Sequence, residues 1–375
     1  MTIEQFKNNI DNLFPICWEH NFVDVLQSIY NQYCHWINQL TIASNDVLYI
    51  NNICKQILEI ISLYENNKDK AFRLFYSLLY GNDNNGLSSS IGHVIINKGQ
   101  LFYRARHIEP NIPFSRLDMF HISQDKRDIV KSQRYNHSGF PCLYMGLSIL
   151  SCWMEMRQPN WDNLYFSAFK ACTSFPVFDM RVPSIEDYDN YHLLKTIERI
   201  PLIIACSIKV KDDVDPYRPE YIIPQMMLDA IVQRNQAITE TDRNLYDLDI
   251  VWGICYSSTR INGNGELVSP ALQNVVFPIV EDNQTAKYCN HLASLFEWTE
   301  PQQYIRDDIL CSHFSKSTND GIIISQYIED DLILHNFENP PYLIVNIPRN
   351  RVIELDYLGT PVSLEIRSNV DWEIQ

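Results

Sequence analysis

The stretch that decides the fold is Gln133–Arg157, QRYNHSGFPCLYMGLSILSCWMEMR. Gly139 and Pro141 supply a turn, Cys142–Met145 is an apolar run of strand length, and Ser148 stands where a helix N-cap belongs. In the helix that follows, Leu147, Leu150, Trp153 and Met154 gather on one side. Glu155 falls almost opposite, on the face with Ser148 and Ser151. A strand therefore passes directly into a short amphipathic helix.

The same texture extends outward from this segment. Leu101–Arg104, Leu202–Val210, Ile250–Tyr256 and Val275–Ile279 are further short apolar runs that read as strands. Ser184–Ile200 and Met226–Gln233 read as helices between them. Strands and helices in this irregular order predict an α+β fold with a mixed sheet, rather than a doubly wound one.

Residues 1–80 read as helices. Phe22, Val25, Leu26, Ile29, Tyr33, Trp36, Ile37 and Leu40 recur at helical spacing, and residues 50–61 and 71–79 repeat the pattern. The breaker cluster GNDNNGLSSS, Gly81–Ser90, marks the boundary. The expected organisation is an N-terminal helical region 1–80, a linker 81–93, a core domain 94–282 and a C-terminal extension 283–375. The last contains a helix around Ala286–Phe296 and strands near Tyr342–Ile347 and Arg351–Leu355, which either complete the central sheet or form an appendage.

Composition narrows the function. The chain has 375 residues, 30 Lys+Arg against 46 Asp+Glu, and a net charge of -16. Such a field repels phosphate backbones and anionic lipid, so direct nucleic-acid and membrane-surface partners are not expected. Ten cysteines with no CxxC among them read as buried thiols of a reducing compartment, and the absence of a signal-peptide pattern makes a cytoplasmic protein the expectation. Cys289-Asn-His291 and Cys311-Ser-His313 repeat a Cys-x-His pair, but the spacing is tighter than structural zinc uses, so no metal is assigned.

Three segments place polar residues where a plain core has no need of them. In LFYRAR, Tyr103 faces one side of a strand and Arg104 the other. Gln133–Arg157 carries Arg134, Tyr135, Tyr144 and Glu155. In GICYSSTR, Gly253–Arg260, an apolar strand ends in hydroxyls and an arginine. Each alone has a plainer reading: a salt-bridging arginine, the solvent face of an amphipathic helix, an ordinary strand-to-turn transition.

Together and in this order they resemble the RES family, named for an arginine, a glutamate and a serine and best known from bacterial toxin–antitoxin modules. The resemblance runs from about Leu101 to Pro278. It implies an ADP-ribosyltransferase-like core that degrades NAD⁺ as a substrate, with no further cofactor, by hydrolysis or phosphorolysis of the nicotinamide–ribose bond. By this resemblance Arg134, Glu155 and Ser258 are the catalytic candidates, with Ser257 the alternative serine. Tyr103, Arg104, Tyr135 and Tyr144 are the substrate-binding candidates. Gln133 stands where the family usually has glycine, and Ser257 where proline often precedes the serine. Both departures alter a turn rather than a reacting group.

The residue types suit the chemistry. A guanidinium holds pyrophosphate oxygens bidentately, as expected of Arg104 and Arg134. An aromatic ring stacks on the cationic nicotinamide, as expected of Tyr144 with Tyr103 or Tyr135. A carboxylate at Glu155 binds ribose hydroxyls and stabilises the oxocarbenium-like centre. The same site would serve a protein ADP-ribosyltransferase, and a binding module without activity is the reading from another class. The resemblance also implies an antitoxin partner. The long terminal regions depart from the compact toxin form and suit self-association or sensing, as in a defence against phage.

Overall fold

The computed structural model describes residues 1–81, 86–109, 114–157, 159, 163–188, 192–212, 215–241, 250–260, 272–279, 287–303, 343–346, 352–355 and 361–363. Four helices come first: α1 (Ile3–Asp11), α2 (Phe22–Ile37), α3 (Ser44–Tyr64) and α4 (Lys68–Tyr80). Local sequence sets their starts. Thr2 and Gln5 form a reciprocal capping box on α1, Asn21 caps α2, and Asn67 caps α4. Gly81 ends α4 at φ 66, a left-handed value that a side chain would resist.

A short helix α5 (Ser88–Ile91) leads into β1 (His93–Ile96), β2 (Leu101–His107), β3 (Cys142–Gly146) and α6 (Ile149–Glu155). Then follow β4 (Leu164–Ala171), β5 (Phe175–Met180), α7 (Leu193–Cys206), α8 (Ile222–Thr241), β6 (Ile254–Ser257) and β7 (Gln273–Pro278). The series continues with α9 (Asn290–Leu295), β8 (Phe296–Trp298) and β9 (Gln302–Gln303). β10 (Leu343–Asn346), β11 (Val352–Leu355) and β12 (Pro361–Ser363) make a separate antiparallel sheet.

The main sheet has the order β1-β5-β6-β7-β3-β2-β4-β8, with β9 also on β4. Among the described strands of this sheet only β5 and β6 pair in parallel; every other neighbour is antiparallel. The fold is α+β, as the irregular order of apolar runs predicts. β8 and β9, which lie beyond residue 282, add to the β4 edge.

Strand alternation separates two cores. Phe178, Met180, Ile254, Tyr256 and Val276 turn to one face and join the helices α1 to α4, α7 and α8 in a single apolar cluster. Phe175, Val177, Cys255, Val275 and Phe277 turn to the other, against Leu292, Leu295 and Phe296. The N-terminal helices and the sheet thus share one core.

Two expectations change. Leu202–Val210 is not a strand: its first part belongs to α7, which contains Pro201 and is buried from Arg199 to Cys206. Enclosure on all sides removes the one-sided period that signals a helix. Pro201 has no N–H to give the carbonyl of Ile197. The Tyr33 hydroxyl on α2 donates to that carbonyl at 2.6 Å, and the Tyr30 hydroxyl donates to the carbonyl of Pro201 at 2.7 Å. The second change is that β4 and β5 are strands where the sequence reading placed none.

Candidate active site

The site is built where β2 and β3 part. These strands pair at Tyr103 and Gly146, and Arg104 and Ala105 on one side face Cys142, Tyr144 and Met145 on the other across a cavity of about 300 Å³. α6 closes one wall. Its N-cap Ser148 accepts from the Ser151 N–H at 2.9 Å, and its close seat on β3 depends on Gly146. A Cβ there would lie 2.1 Å from Ser151 Oγ and 2.9 Å from Cys152 Sγ. Glycine is therefore required by the packing of α6, not by a turn.

Glu155, the last residue of α6, reaches the cavity with its side chain 33% exposed. Its Oε1 accepts from Ser258 Oγ at 2.6 Å and from Asn274 Nδ2 at 2.8 Å, while Arg260 Nε stands 4.0 Å from Oε2. Ser258 is fully buried just after β6, and its own N–H donates to the carbonyl of Leu272. Asn274 lies on β7 opposite Gly146 on one side and Tyr256 on the other. Two neutral donors thus fix one carboxylate oxygen, while the other faces Arg260. The two adjacent serines separate cleanly: Ser257 Oγ accepts from the Val182 N–H at 3.1 Å, away from Glu155.

Arg134 is buried. Nη1 donates to the carbonyls of Cys206 and Ile208 at 2.8 and 3.0 Å, and Nη2 to Thr259 Oγ1 at 2.7 Å. It lines the cavity, yet these bonds occupy most of its donor capacity. Its clear role is to tie the loop before β3 to the end of α7 and the segment after β6. Arg104 lines the opposite side and donates to the carbonyl of Tyr144 at 3.2 Å. Burial, with Arg106 adding to it, pulls Arg104 down to about 9, and no carboxylate is paired with it among the described residues. A partly buried guanidinium in this state favours an anionic ligand.

The Tyr144 hydroxyl accepts from the Tyr135 N–H at 3.2 Å and donates to Asn136 Oδ1 at 2.9 Å. Burial raises its pKa well above the usual tyrosine value, so it stays a donor. The other two tyrosines lie elsewhere. Tyr103 packs with Ile149 and Cys152 beneath α6, and the Tyr135 ring packs on Tyr256 at 4.8 Å inside the helical core. Neither is among the residues that line the cavity: strand parity turns Tyr103 beneath α6, and Tyr135 is buried in the helical core.

Sequence reading missed Asn274, Thr259 and Asn136. Thr259 sits in GICYSSTR and Asn136 in the opening segment, but Asn274 follows Gln273 at the start of β7, outside the segments singled out in the sequence, and only the register reveals it. Among the described residues no group of three or more His, Cys, Asp or Glu is placed to hold a metal. Cys289 is buried, and its N–H donates to His121 Nε2 at 2.8 Å; Cys311 and His313 lie outside the described residues. No helix among the described residues is long and apolar enough to cross a membrane.

Over 308 residues the chain is 29% identical to a Bacillus subtilis (strain 168) protein named "Putative toxin YopC". The alignment covers 74% of this chain and 64% of that protein, so the chain spans less than two thirds of its relative. No family model matches the chain, and no solved structure matches it.

Proposed function

We propose that the chain is an NAD⁺-degrading enzyme of RES type, with an ADP-ribosyltransferase-like core, that acts as a growth-arresting toxin or defence effector in the cytoplasm. The observation that carries this reading is the Glu155 carboxylate, anchored by Ser258 and Asn274 at one end of a cavity otherwise lined by Arg104, Arg134, Arg260 and Lys131. On a chain of net charge -16, four cations around one small cavity mark a place for an anion. One negative group among them suits a substrate that is anionic at its pyrophosphate and cationic at its reacting end.

In this reading the phosphate on the nicotinamide side lies against Arg104 and Arg260. The nicotinamide ribose lies at Glu155. The carboxylate binds ribose hydroxyls and stabilises positive charge at C1 as the bond to nicotinamide breaks. Ser258 and Asn274 hold Glu155 in place and do not react. Arg134 acts mainly through position, holding the loop that carries Tyr144's partners. The toxin name of the Bacillus subtilis relative supports the biological role, and an antitoxin would be the natural partner.

The test is NAD⁺ consumption by purified protein, with and without phosphate, beside Glu155→Gln. Turnover by the wild type and a loss of about 10²–10³-fold in the variant are expected, with both proteins equally folded by circular dichroism. Phosphate dependence would assign phosphorolysis over hydrolysis. Full activity in Glu155→Gln would remove Glu155 from the mechanism, and label transferred from NAD⁺ to protein would make the enzyme an ADP-ribosyltransferase.

A further inference from the structure

A second cavity, of about 410 Å³, adjoins the first and shares Tyr221 with it. Its walls come from two regions distant in sequence. Tyr64 ends α3, Glu65 follows it and Lys68 opens α4; Tyr217, Arg218 and Tyr221 come from the segment before α8. The Tyr217 ring is 51% exposed, yet its hydroxyl donates to Glu65 Oε1 at 3.1 Å, which fixes the ring across the gap between the two regions. Lys68 Nζ stands 4.9 Å from the Tyr64 ring centre. Arg218 Cζ stands 5.3 Å and Arg134 Cζ 5.7 Å from the Tyr221 ring centre.

The segment between the cavities is tied down by hydrogen bonds. Ser132 lines the second cavity, Gln133 and Arg134 the first. Arg218 Nη1 donates to the Ser132 carbonyl at 3.2 Å, and Gln225 Nε2 donates to Ser132 Oγ and the Gln133 carbonyl at 2.9 and 3.0 Å. The first cavity alone is at the bottom of the range of small-molecule sites, roughly 300–1,000 Å³, and would take a nucleoside more readily than a whole dinucleotide.

We propose that the second cavity binds the adenylate half of a dinucleotide whose nicotinamide–ribose end lies at Glu155, so that the N-terminal helices recognise substrate. This rests on the reading of the first cavity as an NAD⁺ site. Tyrosine faces stack on a purine. Lys68 and Arg218 supply charge for phosphate. The free lone pairs of Glu65 accept from an exocyclic amine, a donor that adenine carries. The adenylate phosphate lies at Lys68 and Arg218, and the phosphate on the nicotinamide side passes Tyr221 to reach Arg104 and Arg260.

The experiment is calorimetric titration of the full chain with AMP and with adenosine. Wild type should bind AMP. Tyr217→Ala should weaken it by about tenfold, while Tyr217→Phe keeps the ring and stays within about threefold of wild type. Lys68→Gln should weaken AMP and leave adenosine unchanged, since only AMP has a phosphate to lose. Tyr217→Ala should also raise the KM for NAD⁺. No AMP binding by wild type, or AMP binding equal in wild type and Tyr217→Ala, overturns the proposal. A protein that binds AMP through Tyr217 but never consumes NAD⁺ sinks the reading of Glu155 and leaves the adenine-nucleotide site standing.

Discussion

Two carboxylates, Glu155 at the end of α6 and Asp179 on β5, have opposite surroundings. Asp179, at the end of β5, is buried between Arg181 and Arg199: Arg181 Nε and Nη2 donate to it at 2.7 and 2.9 Å, and Arg199 Nη1 at 3.3 Å. Burial by itself would raise its pKa, but the Arg181 hydrogen bonds and the charges of Arg181 and Arg199 outweigh it and hold the carboxyl below its usual range. Glu155 is one-third exposed and held by a hydroxyl and an amide. A carboxylate wrapped in guanidinium has its charge spent on the fold. One fixed by neutral donors keeps its charge for a ligand.

The comparison predicts opposite consequences for the same chemical change. Asp179→Asn leaves Arg181 without its carboxylate and the buried Arg199 with Asp187 alone, and should cost about 3–5 kcal/mol of stability, read by urea unfolding. Glu155→Gln should leave the unfolding midpoint nearly unchanged. A stable Asp179→Asn would break the contrast.

The neighbouring serines sharpen it. Ser258→Ala removes a hydrogen bond to a charged group, worth about 1.5–3 kcal/mol, so turnover should fall roughly 10- to 100-fold. Ser257→Ala removes only the bond from the Val182 N–H and should lower stability by about 1 kcal/mol while turnover stays. Equal effects of the two on turnover would mean that the contact with Glu155 is incidental.

His121, also buried, is kept neutral. His121 Nδ1 donates to the Ile122 carbonyl at 2.8 Å and Nε2 accepts from the Cys289 N–H at 2.8 Å, so a second ring proton would face a donor. Burial lowers its pKa to about 4. Between there and its ordinary value near 6.5, the unfolded chain takes up the proton and the folded chain does not. Stability is therefore present at neutral pH and lost as pH falls through that window, by about 2 kcal/mol between pH 7 and pH 5. Unfolding of wild type and His121→Gln at both pH values measures it; an equal pH dependence in the two proteins would assign the loss to other groups.

How far the sequence could be read depends on whether burial is one-sided. β3, α6, β6 and β7 are legible because each carries a short apolar run or a cap next to polar residues. The second half of α7 is not, because from Ile200 to Cys206 it is apolar all round and contains a proline that elsewhere ends a helix. Its continuity through Pro201 depends on the Tyr33 hydroxyl, contributed by a helix far away in sequence. In the site, Glu155, Ser258, Arg134 and Tyr144 all stand in motifs that catch the eye, but their distinct positions do not follow from the motifs.

Sequence by itself determined the element types around Gln133–Arg157, the α+β class, the acidic balance and the short list of polar residues worth watching. These follow from local rules of capping, strand alternation and charge. Tertiary structure decided that Ser258 rather than Ser257 touches Glu155, that Asn274 joins it, that Tyr103 and Tyr135 turn away, and that Arg134 spends its donors on backbone carbonyls. Each of these depends on strand register and on contacts between segments a hundred residues apart, such as Glu155 with Ser258 at a separation of 103, and no local pattern encodes a distance between such segments.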